Sequence, residues 1–222
     1  MATDQYGDTI KEASVALAGA MSDEVEPMLL LDTTGSMHRP NSEGSTASRI
    51  DVVREALGTV VEKLGAEDSQ AGKPGDEGGL RTITFAGGTA VDIEDLNPGN
   101  LHEKWAHIRF EGTTEIMPGM ATLLSAYKDE FGDRQMNERP RLRALIITDG
   151  EADDTTEFAA MCKQIGGNMF IEIALLGYGV EHDAAQQAYQ QVAAINKHVK
   201  VVSFGNETDP QAIATGLLEM LG

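Results

Sequence analysis

A single cysteine, Cys162, supplies all the thiol chemistry of this 222-residue chain. It has no partner for an intrachain disulfide, so a reducing, cytoplasmic location is the expectation. Long apolar runs are missing too. No stretch approaches the roughly 18 apolar residues of a membrane helix, and the mean hydropathy is -0.24. The most apolar N-terminal segment, 13–21, follows acidic residues and one lysine, without the basic start of a secretory leader. Positive charge is also scarce: 17 Lys plus Arg stand against 36 Asp plus Glu, a net charge of -19. Such a surface repels nucleic-acid phosphates and anionic lipid, so neither nucleic-acid binding nor membrane insertion is expected. The acids are spread among apolar runs rather than gathered in a tail, and most of them serve solubility.

Several chemical signatures are absent. The histidines His38, His102, His107, His182 and His198 show no paired metal spacing and read as solvated or locally bonded. Gly72-Lys73-Pro74 lacks the leading glycine and trailing hydroxyl residue of a phosphate loop. Cys162 shares an apolar helix face with Phe158 and Ile165, which makes it a core residue.

What is present is a regular alternation. Ile10, Ala13, Leu17 and Met21 recur at helical spacing, predicting an N-terminal helical extension over 1–26 that ends near Pro27. The run Met28 to Leu31 reads as a strand buried on both faces. After a polar loop, 37–47, Ser48 and Asp51 form a capping box for a helix carrying Ile50, Val53, Leu57, Val60 and Leu64. A surface loop is expected over 66–79. Strands at 81–85 and 89–93 follow, joined by Gly87-Gly88 as a hairpin. Helices at 100–107 and 119–131 precede a second buried strand, 144–147. The pattern ends with helices at 155–165, 184–196 and 210–221 and strands at 170–176 and 199–204. Strands separated by helices imply one α/β domain over 27–222: a doubly wound, mostly parallel, Rossmann-like six-stranded sheet with one antiparallel edge strand and helices on both faces.

In open sheets of this kind, binding chemistry gathers at the carboxyl ends of the strands. The loops there offer Asp32, Thr34 and Ser36 at alternate positions, then Thr113 after Gly112, then Asp149 before Gly150. Two carboxylates and three hydroxyls are hard oxygen donors of the kind Mg²⁺ takes in near-octahedral geometry. The neutral hydroxyls leave the ion with charge to spare for an outside carboxylate. Asp153 and Asp154, just beyond, read as helix N-caps. Arg134, Arg139, Arg141 and Arg143 lie before a strand, hence at the opposite pole, where a salt-bridged rim is expected.

These residues resemble the metal-ion-dependent adhesion site of von Willebrand factor A domains, whose pattern is D-x-[ST]-x-S, a threonine in a Gly-Thr loop, and an aspartate in a T-D-G loop. The strings LLLDTTGSM, EGTT and LIITDGE carry the resemblance, which extends over about 27–221 and looks closest to intracellular copine-like and tellurium-resistance-associated bacterial branches. It implies that Ser36 and Thr34 bind the metal directly. Thr113 and Asp149 would exchange direct for water-mediated contact, and Asp32 would act through water. The chain departs from the pattern at Thr34, where serine is commoner, at Glu111, where glycine is frequent, and in the long polar segment 38–47. The implied function is an intracellular, metal-dependent protein-binding module with Mg²⁺, or alternatively Mn²⁺ or Ca²⁺. Its partner would present an Asp or Glu within a neutral or basic surface. An adaptor subunit of an ATPase or larger assembly is a compatible alternative. A metal-dependent phosphohydrolase would also start from an aspartate at a strand end, but it wants a second aspartate where Thr34 stands, and no enzyme is expected.

Overall fold

The computed structural model describes residues 6–19, 21–70 and 79–222. Six strands form one sheet: β1 (Val25–Asp32), β2 (Leu80–Ala86), β3 (Thr89–Leu96), β4 (Arg141–Thr148), β5 (Met169–Leu176) and β6 (Val199–Gly205). Their order across the sheet is β3-β2-β1-β4-β5-β6, with every neighbouring pair parallel except β2 and β3. The chain builds outward from β1 to β3, then crosses back to add β4 on β1's other side. β1 and β4 therefore flank the point where the winding reverses, which is where crevices open in such sheets.

The central strands owe their place to composition. Met28 to Leu31 and Ala144 to Ile147 are almost wholly buried, and alternate residues serve opposite faces. Met28, Leu30, Ala144 and Ile146 pack beneath α1 (Gly7–Ala16), α4 (Ile116–Phe131), α5 (Thr155–Cys162) and α6 (Gly179–Ala193). Leu29, Leu31, Leu145 and Ile147 pack beneath α2 (Arg49–Gln70), α3 (Leu101–His107) and α7 (Pro210–Leu221). Each fully buried leucine contributes about 1.5–3 kcal/mol by leaving water.

Local signals explain the boundaries. The Gly87-Gly88 turn has φ of 56° and 71°, the left-handed pair that a two-residue hairpin requires. At the start of α2, Ser48 Oγ donates to Asp51 Oδ2 at 2.5 Å and accepts from Asp51 N at 3.2 Å. Pro27 does not end a helix, as its position suggested, but lies inside β1 opposite Arg143. It is tolerated because β2 joins β1 only from Met28 onward, so the strand has one neighbour at that point. Helix α2 runs on to Gln70, through part of the segment expected as loop; the rest of that loop, with Gly72-Lys73-Pro74, lies outside the described residues. Helix α6 begins at Gly179, ahead of the expected start, and α5 ends earlier than expected, at Cys162.

Residues 6–19 and 21–22 are fastened to the rest of the domain. Leu17 is buried with the α4-side core, and Tyr6, Ile10 and Met21 pack against it. Asn168 Nδ2 donates to Leu17 O at 2.9 Å and to Gly19 O at 2.7 Å, and Ser22 N donates to Arg139 O at 3.0 Å. Three of the four arginines near β4 tie backbone, and Arg141 also lies 3.8 Å from the Asp23 carboxylate, an ion pair of the kind expected for the rim. Arg139 donates to Arg134 O and Gly132 O, Arg141 to Asp23 O, and Arg143 to Leu221 O, while Arg134 lies 4.5 Å over the Phe131 ring.

Candidate metal centre

β1 ends in Asp32 and β4 in Thr148, so two parallel neighbours deliver their exit loops to the same pole. Asp32 is fully buried. Its Oδ1 accepts from Thr34 N at 2.8 Å, curling the loop back, and its Oδ2 accepts from Thr148 Oγ1 at 2.7 Å, joining the two strand ends. The curled loop then brings Thr34 Oγ1 to 3.0 Å from Ser36 Oγ, and Ser36 Oγ donates to Asp149 Oδ1 at 2.8 Å. Four of the five residues singled out in the sequence thus form one connected set.

Thr113 is placed differently. Its loop follows α3 rather than a strand, and its exposed hydroxyl donates to Glu115 Oε1 at 3.0 Å, while Gly88 N donates to Glu115 Oε2 at 2.6 Å. The loop nonetheless belongs to the same pole: Glu111 N donates to Thr33 O at 3.0 Å, and Gly87 N to Thr113 O at 2.8 Å. That close approach needs glycine at 112, because a Cβ there would stand 2.9 Å from Gly87 Cα. Glu111, which stands where glycine is frequent in the pattern, is exposed. Asp154 is an N-cap as expected, but of α4 rather than of its own helix. Its two oxygens accept from Ile116 N at 2.9 Å and Met117 N at 2.8 Å.

Sequence reasoning missed Arg49. Its Nη1 donates to Asp149 Oδ2 at 2.5 Å, and both side chains are buried, 6% and 0% exposed. The signal was a basic residue in the first turn of α2, where the helix dipole favours acids. Its space comes from Gly177, with φ of 98°: a Cβ there would lie 2.8 Å from Arg49 Cζ. Asn41, also buried, accepts from Gly177 N at 3.1 Å and donates to Glu207 O, pinning the polar segment 38–47 beside the guanidinium.

Burial, and then the neighbouring charge of Asp149, push the Asp32 carboxyl up to about 6, against the lowering effect of its bonds from Thr148 and Thr34. Among the described residues no three His, Cys, Asp or Glu side chains converge, so any cation here must rest on hydroxyls as well as carboxylates. The set fits that demand. Adjacent ligands of an octahedron with bonds of about 2.0–2.1 Å stand about 2.9 Å apart. The Thr34–Ser36 and Ser36–Asp149 oxygen pairs stand at 3.0 and 2.8 Å.

Comparison with solved structures settles the architecture. The VWA domain of SpRpn10 superposes with a TM-score of 0.62 at 14% identity, over 89% of this chain and 96% of that one. The fold is that of a von Willebrand factor A domain. The BatB protein of Bacteroides thetaiotaomicron matches over 91% of this chain and 99% of its own, with a TM-score of 0.53 and 16% identity. A VWA protein of Catenulispora acidiphila matches over 90% of this chain and 42% of its own, with a TM-score of 0.54 and 15% identity. No family model and no curated protein sequence matches the chain. At 14–16% identity the likeness to these structures is one of fold. No helix among the described residues is long and apolar enough to cross a membrane.

Proposed function

We propose that this VWA domain is a metal-dependent protein-binding module, in which Thr34, Ser36 and Asp149 hold a divalent cation and Asp32 acts from behind them. The observation that carries the reading is the spacing of two oxygen pairs, Thr34–Ser36 and Ser36–Asp149, which matches neighbouring positions of an octahedron. Thr113 would join by releasing Glu115. A bound Mg²⁺, or Mn²⁺ or Ca²⁺, would supply an electrophilic position that an Asp or Glu of the partner completes.

The chain's own residues do the rest. Asp32 fixes the loop through Thr34 N and ties β1 to β4 through Thr148, so the donor oxygens are preorganised on short loops anchored to two rigid strand ends. Glu115 and the Gly87–Gly112 contact hold the α3–α4 loop against the same pole. The net charge of -19 selects against partners that are acidic throughout. A partner with one carboxylate in a neutral or basic surface meets both demands, and a cytoplasmic, non-enzymatic role is part of the same reading. Affinity capture with Mg²⁺ and with chelator tests it. Partners should be retained only with metal; a set of partners indifferent to chelator would reject the cation as the grip.

A further inference from the structure

Arg49 is an unusual occupant of such a site. A guanidinium is expensive to bury, and this one is 6% exposed in its side chain, with Nε buried and lacking any hydrogen-bond partner. It is nevertheless given room by a glycine with φ of 98°, whose N–H is held by the buried Asn41. It takes Asp149 Oδ2, while Oδ1 faces Ser36 and the candidate cation position. One carboxylate is thus shared between a fixed positive charge and the place where a mobile one would bind.

We propose that Arg49 is a resident cation that lowers the site's affinity for a divalent ion and raises the loaded site's affinity for a carboxylate. The inference rests on the metal-dependent reading above and adds a residue that the adhesion-site pattern does not include. The charge balance carries it. Asp32 and Asp149 as carboxylates match a divalent ion in formal charge, so the pull on an outside carboxylate would then come from the open position between neutral hydroxyls alone. With the guanidinium 2.5 Å from Asp149, the loaded site keeps one positive charge, which one incoming carboxylate neutralises. Repulsion between guanidinium and metal falls on the metal's affinity, and the excess charge it leaves falls to the ligand's benefit. Without metal, the same ion pair stops Asp149 from being a lone buried carboxylate, so the site stays assembled while waiting.

The experiment uses the full chain with Mn²⁺, its free fraction read by electron paramagnetic resonance and its affinity by calorimetry. Thermal unfolding of each metal-free variant reports folding. Arg49→Gln keeps a donor toward Asp149 without the charge, Arg49→Met keeps the length, and Arg49→Lys keeps the charge. Arg49→Gln and Arg49→Met should bind Mn²⁺ about tenfold or more tightly than the wild type, and Arg49→Lys close to it. With Mn²⁺ loaded, acetate should displace metal-bound water, seen in water-proton relaxation, at lower concentration in the wild type than in Arg49→Gln. A wild type that binds Mn²⁺ beside neutral variants that bind it equally or more weakly overturns the inference and leaves the metal reading standing. Uptake by the neutral variants but not by the wild type supports it in its strongest form. Uptake by none of the four proteins rejects both.

Discussion

Ser36 Oγ donates to Asp149 Oδ1 at 2.8 Å across 113 residues of chain, joining the exit of β1 to the exit of β4. Asp149 meets Arg49 with its other oxygen, so a single buried carboxylate links both exit loops to the start of α2. Removing it should therefore cost more than a ligand. Asp149→Ala leaves a buried guanidinium unpaired and should destabilise the fold by about 3 kcal/mol or more. Asp149→Asn retains an acceptor and should cost less. Urea unfolding of Asp149→Ala, Arg49→Met and the double variant should show strong coupling, and additive losses would contradict the pairing.

The cap on α4 is a separate matter of stability. Asp154 accepts from two backbone N–H groups that the helix itself leaves open. Asp154→Ala should cost about 1–2 kcal/mol, and the exposed neighbour Asp153→Ala about 0.5 kcal/mol or less. Equal effects in denaturant titration would remove the distinction between them.

Cys162 is free and buried, and burial pushes its thiol up to about 12 from 9.0. The thiol should stay unreactive toward disulfide reagents at pH 8 until the protein unfolds. The raised value also sets a direction with pH. The folded state holds the thiol neutral, so its contribution is complete below about pH 9 and is lost as pH rises from there toward 12. Cys162→Ala should flatten that part of the stability profile, and an unchanged slope would contradict the assignment.

The N-terminal segment should behave as part of the core. Leu17 lies in the same cluster as Leu124 and Met161, and Asn168 holds its carbonyl at 2.9 Å. Leu17→Ala should cost about 2 kcal/mol, measured as a lowered unfolding midpoint. No change would mean that the helix packs without contributing.

The legible features were those written locally. Continuous apolar runs marked β1 and β4, Gly87-Gly88 marked the hairpin, and Asp32, Thr34, Ser36 and Asp149 stood where those strands end. Arg49 was not legible, because its partner is 100 residues away and its pocket depends on Gly177 in another loop. Thr113 looked like its neighbours in the motif, yet Glu115, two residues on, takes its hydroxyl, a competition that residue type alone does not reveal. Asp154 showed its capping chemistry but not its client, since α4 begins 38 residues earlier and approaches only in the folded chain. Pro27 suggested a break because its one-sided pairing depends on where β2 starts. Side chains announced what they can bond, and tertiary packing decided to whom.

The cation itself is the most direct matter for measurement. Calorimetric titration of the folded chain with Mg²⁺ and with Mn²⁺ should show a single site. Ser36→Ala and Asp149→Asn should each weaken it by about tenfold or more, with thermal unfolding confirming that both variants remain folded. Binding that survives undiminished in both variants, or a wild type that takes up neither ion, would contradict the account.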